Sequence, residues 1–146
     1  MSLFAKQLIG NSQIEEIKRA IQQAEKNTSG EIRVHIEKHC KQDVLHRAAA
    51  IFHSLKMDET EARNGVLIYV ALGDKTFAIV GDKGIDSKVP PDFWESTKHT
   101  MLQHFKQEQI AEGIIAGIHL AGEKLKTFFP YMQGDKNELS DDVSFS

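Results

Sequence analysis

Apolar residues return at helical spacing early in the chain: Ile14, Ile17, Ile21 and Ala24 follow Ser12-Gln13-Ile14-Glu15. That tetrapeptide has the form of a capping box, in which the serine hydroxyl and the glutamate each satisfy a free backbone amide. The pattern predicts an amphipathic helix over 12–27, stopped by Asn27-Thr28-Ser29-Gly30. The period then changes to two. Glu31-Ile32-Arg33-Val34-His35-Ile36-Glu37 alternates polar and apolar side chains, which predicts a strand with one buried face. A second helix is expected from about Asp43 to Met57, with Val44, Ala48, Ile51, Phe52 and Leu55 inward, followed by a charged turn over 58–63.

Gly65-Val66-Leu67-Ile68-Tyr69-Val70-Ala71-Leu72 is almost wholly apolar, as expected of a central strand covered on both faces. Gly73-Asp74 marks a tight turn, and Thr76 to Val80 a third strand that closes a hairpin. Residues 81–91, rich in glycine, aspartate and proline, read as a loop. Helices are expected from about Pro91 to Gln107 and from about Gln109 to Phe129. In the second, Gly113 and Gly117 allow a close neighbour, and Pro130 ends it. Residues 131–146 are polar, acidic and aperiodic, and read as a disordered tail behind one domain over 1–130. A helix between the first two strands makes them parallel through a right-handed crossover. The predicted fold is therefore α/β, a three-layer α/β/α sandwich around a small mixed sheet.

With 146 residues the chain buries a sizeable core without disulfides or a structural metal. A net charge of -3 gives no footprint for nucleic acid. The single cysteine, Cys40, suits a reducing compartment. Met1 to Ser12 lacks the form of a secretory signal, and Val66 to Leu72 is far shorter than the roughly 20 residues of a membrane span. A cytoplasmic location without membrane contact is the expectation.

Topology brings a few polar residues together. If the first two strands are parallel, Glu31 and Asn64 lie at their starting ends, and the third strand delivers Asp82 and Asp86 to that same end. Carboxylate and amide oxygens beside a glycine turn suit a hard divalent cation such as calcium. Equally, these are turn-forming aspartates and a solvated strand-end glutamate. Asp74 belongs to the opposite end. Arg63 suits an anionic ligand, but a surface pairing with Glu59 or Glu61 is more common for such a residue. His35, His39 and Cys40 lack the further Cys or His at ligand spacing that zinc requires. His46 and His53 share one helix face, and Phe93, Trp94 and Phe105 read as core. No G-x-S-x-G elbow, P-loop or cysteine–arginine phosphatase motif is present.

Several segments match one family pattern in order: Ser29-Gly30-Glu31-Ile32, Arg63-Asn64-Gly65-Val66-Leu67-Ile68, Ile79-Val80-Gly81-Asp82-Lys83-Gly84-Ile85-Asp86, then Trp94, Phe105, Glu112 to Ile118, Gly122 to Leu125 and Phe129-Pro130. Over residues 12–130 the chain resembles the TPM domain family, the phosphatase-like domain of thylakoid-lumen repair proteins and their bacterial relatives. The resemblance implies an α/β/α fold, binding of calcium or magnesium in some members, and acid-phosphatase activity in plant members. Many relatives carry a signal peptide and a membrane anchor or Gly-rich tail, which this short sequence does not show. The metal set that follows is Glu31, Asn64, Asp82 and Asp86. Three readings result: a divalent-cation-binding domain; a metal-dependent phosphatase acting on small phosphate esters, with Glu31 or Asp86 taking a proton from metal-bound water; and a module that docks a protein partner.

Overall fold

A computed structural model describes residues 9–132, 134 and 137–146. The apolar run in the middle of the chain forms β2 (Gly65–Ala71), buried at all its positions. It pairs in parallel with β1 (Glu31–Glu37) and antiparallel with β3 (Thr76–Gly81). The connection from β1 to β2 runs through α2 (Val44–Ser54) and a single 3-10 turn at Met57–Glu59. The expected mixed α/β sheet is thus present, with β2 internal.

The alternation of side chains sends Ile32, Val34, Ile36, Val66, Ile68 and Val70 to one face. There they meet α1 (Asn11–Ala24), α4 (Glu95–Lys106) and α5 (Ile110–Phe128) through Ile17, Ile21, Met101, Phe105, Ile114 and Leu125. Leu67, Tyr69, Ala71 and Ala78 face the opposite way, against Ala48, Ile51 and Phe52 of α2. Gly117 lets α5 sit close to α4, since a Cβ there would lie 2.6 Å from the Met101 sulfur. No helix among the described residues is long and apolar enough to cross a membrane.

Four expectations change. The first helix starts at Asn11, and its reciprocal cap is made by Gln13, whose Oε1 accepts the Gly10 N–H at 3.1 Å. The stretch read as a loop after β3 contains a one-turn helix, α3 (Lys83–Asp86), because Asp82 accepts the Lys83 N–H at 2.7 Å and starts it. The polar face of β1 is buried as well: Glu31, His35 and Glu37 are only 4%, 3% and 8% exposed. The last change explains the third. Instead of a structureless tail, residues 137–146 pack back onto β1, with Leu139 buried and β4 (Ser144–Phe145) added in parallel at its free edge. The strand order is β3-β2-β1-β4.

Buried polar side chains must find partners, and those of β1 do. Glu37 accepts two bonds from Arg47 of α2, at 2.8 and 3.1 Å, and one each from the Tyr69 and Ser146 hydroxyls. Burial works against its charge, yet these donors outweigh it and pull the carboxyl down to about 2. Burial and the Glu37 bond push the Tyr69 phenol upward. The His35 ring stacks on Tyr69, with centroids 6.2 Å apart.

Candidate functional site

The starting ends of β1 and β2 and the finishing end of β3 meet at one end of the sheet, as the topology requires: Glu31 pairs with Gly65, and Val66 with Gly81. All four residues expected there are present, but they fall into two groups. Asp82 is clamped. Its carboxylate takes both Arg63 donors, Nε at 2.8 Å and the terminal nitrogen at 2.9 Å, besides the Lys83 N–H. Arg63 therefore pairs with Asp82 rather than with Glu59 or Glu61. It reaches there from a left-handed backbone, φ 51°, a conformation that costs a side-chain-bearing residue about 1 kcal/mol. The same turn presses on α3: a Cβ on Gly84 would lie 2.4 Å from the Ala62 carbonyl oxygen. Asp86 sits near this pair, its carboxyl raised by burial and by the charge of Asp82.

Glu31 and Asn64 look the other way. The Asn64 amide donates to the Ser29 carbonyl at 2.9 Å, and Glu31 accepts the Leu139 N–H at 2.7 Å. Here the segment 137–146 brings acidic residues that the sequence pattern had placed in a tail. Glu138 accepts the Glu61 N–H at 3.2 Å, and Asp141 accepts from the Asn137 amide at 3.0 Å and hydrogen-bonds Glu25. Glu25, at the end of α1, also accepts the Ile32 N–H at 3.0 Å. A cavity of about 190 Å³ between these elements is lined by Glu25, Thr28, Glu31, Tyr131 and Asn137 among others. Ser29 joins it to a wider depression bordered by Asn64 and Glu138.

The electrostatics of this cleft are unusual. Burial and the hydrogen bond to Asp141 raise the Glu25 carboxyl to about 9, so Glu25 holds a proton at neutral pH. Burial raises Glu31 too, assisted by the charges of Glu138 and Asp141 and opposed by two backbone N–H bonds. Among the described residues, no three His, Cys, Asp or Glu side chains converge to hold a metal ion as they stand. The donors fit a hard cation in kind, being oxygens only, and they leave room for water to complete a shell. At the far end of the sheet, Asp74 is held by His39 and by the Cys40 N–H, at 2.8 and 2.7 Å.

A mixed sheet between helical layers, with an acidic cleft where β1 and β2 begin, defines the class: a small α/β/α domain. The sequence profile of the TPM domain family matches residues 4–124, and the chain belongs to that family. The structure is similar to the NMR structure of BA42 from the psychrophilic bacterium Bizionia argentinensis, with 48% identity, a TM-score of 0.90, and 94% and 95% of the two chains covered. It also shares its fold with the N-terminal domain of cg2496 from Corynebacterium glutamicum, at 14% identity and a TM-score of 0.64 over 92% of this chain and 79% of that one. A second such match is the N-terminal domain of a P. gingivalis protein, at 16% identity and a TM-score of 0.69 over 86% and 83%. No curated protein matches the chain.

Proposed function

We propose that this TPM domain binds a divalent cation, calcium or magnesium, in the cleft where β1 and β2 begin. The proposed donors are Glu25, Glu31 and Asp141, with Glu138 and the Asn64 amide beside them and water completing the shell. One observation carries the reading: Glu25 and Glu31 line one cavity of about 190 Å³ where β1 and β2 begin, with the charge of Asp141 acting on both. Burial and Asp141 favour a proton on Glu25, and a cation bound in the cavity would take that proton's place. Glu31 and Asn64 stay in the proposed set. Asp82 and Asp86 leave the set, because Arg63 already neutralises Asp82. The phosphatase reading draws less support from the geometry, since the guanidinium suited to a phosphate is committed to that carboxylate.

Calorimetric titration near pH 7, in buffers of different ionisation heat, tests the assignment. Cation binding is expected to release protons, and the apparent affinity to rise with pH up to about 9 as Glu25 becomes easier to deprotonate. With a Kd of ~1 mM, ~10 mM calcium adds about 1.4 kcal/mol of stability and raises the midpoint by roughly 3–5 °C. Glu25→Gln should abolish proton release, and Glu31→Gln the binding. Asp82→Asn should melt lower yet keep its full response to calcium. Neither heat nor melting shift with calcium or magnesium would refute the reading.

A further inference from the structure

The two edges of β1 are treated very differently. Along β2 it is paired over seven residues, from Glu31↔Gly65 to Glu37↔Ala71. Along the other edge it is paired at only two, His35↔Ser144 and Ile36↔Phe145, with one further bond from the Ser146 N–H to the Ile36 carbonyl at 3.1 Å. The added segment is read on both faces. Val143 and Phe145 pack against the large apolar cluster. Ser144 and Ser146 meet the two nitrogens of the buried His35 ring, at 2.7 Å on Nδ1 and 2.8 Å on Nε2.

These contacts are selective for hydroxyls. The Ser146 hydroxyl donates its one proton to the Glu37 carboxylate, 3.0 Å away, and accepts the Nε2 proton of His35. In the same neutral tautomer Nδ1 accepts the Ser144 hydroxyl proton at 2.7 Å, with the Val34 carbonyl 3.4 Å from that hydroxyl. An apolar side chain at either position would leave a buried imidazole nitrogen without a partner, which is costly. The floor beneath the serines is His35 and Glu37, with Arg33 on the same face, its buried Nε having no partner among the described residues. Such a floor tolerates water. When the segment lifts, the groups it uncovers on this face are ones that hydrate well, unlike those under a helix.

We propose that the outer edge of β1 is an acceptor groove for an extended segment of alternating apolar and serine residues. Residues 143–146 fill it within the chain, and the same segment of a second copy fills it when the first lifts. The second copy is the occupant because it carries an identical segment, which makes the same bonds in trans. Only the covalent link to the rest of the chain distinguishes the two, and a short link corresponds to an effective concentration in the millimolar range.

A synthetic peptide of residues 137–146, titrated into the 15N-labelled full chain, tests this, with the backbone amides of Ile36, Ser144 and Phe145 as reporters. In the parent, displacement should be half complete near ~1 mM peptide. In the full chain carrying Ser144→Ala and Ser146→Ala, the resident segment competes less well, and the midpoint should fall at least about ten-fold, as expected for two lost hydrogen bonds. A peptide of the same composition with the serines moved to the apolar positions should displace nothing. A midpoint unchanged by the two substitutions, or equal displacement by the rearranged peptide, overturns the proposal. Should the doubly substituted chain not fold, the comparison of the two peptides on the parent decides alone.

Discussion

His35 is held as a neutral imidazole inside the sheet. Burial lowers its folded-state value to about 4, against 6.5 for the free side chain, with Arg47 and Arg33 assisting and Glu37 opposing. Between those two values the unfolded chain takes up a proton that the native one refuses, so stability falls as the pH drops through this window and is complete above it. Glu25 tilts the other way, favouring the fold at low pH and surrendering that contribution as the pH rises from 4.5 towards about 9. His35→Gln separates the two effects. Urea unfolding at pH 7 and pH 4 should show the parent losing roughly 1–3 kcal/mol more than the variant over that interval. Equal losses would mean that His35 does not bear the dependence. The alternation of β1 correctly placed His35 on the polar face, but alternation says only which face a residue shares, not whether that face is wet. Arg63 and Asp82 show the same limit, since a pair 19 residues apart has no periodicity to reveal it.

At the scale of elements, the apolar periods carried far. The core helices and three strands lie where the helical spacings, the alternation of β1, the unbroken apolar run of β2 and the turn before β3 put them, because each buries enough side chains to override local detail. What stayed hidden was short. A two-residue strand such as β4 offers no period to count, and Asp141-Asp142 beside it masked the Val143-Ser144-Phe145-Ser146 alternation. With that segment unread, Asp141 and Glu138 were lost from the cleft, and nothing in the pattern singled out Glu25. Gly117, by contrast, was legible as a point of close approach. Alanine there gains up to about 1 kcal/mol of helix propensity but drives a methyl into Met101, which is fully buried, at a typical cost of 1–3 kcal/mol. Gly117→Ala should therefore be destabilising in thermal melts. Met101→Ala combined with it should cost less than the sum of the two single changes, and simple additivity would argue against the contact.

Over the whole molecule, protection is unevenly shared. β2 is covered by helices on both faces and by strands on both sides, whereas β4 is anchored by one strand and a few side-chain bonds. Hydrogen exchange should therefore rank them. The Ser146 amide is expected to open by local detachment, well before the β2 amides, which exchange only near the global unfolding free energy. Equal protection would show that the segment and the sheet come apart together.

The distance along the chain between β1 and its last partner has a consequence in time. Ser144 meets His35 across 109 positions, whereas the β2–β3 hairpin closes through a few residues. Closing the longer loop costs more chain entropy, so the hairpin and the β1–β2 crossover can assemble while β1 still lacks its outer neighbour. For that interval its edge offers unpaired N–H and carbonyl groups to any extended chain nearby. A crowded solution is thus expected to lower the refolding yield during the last step, and the pairing of β4 at His35 and Ile36 shortens the edge left open.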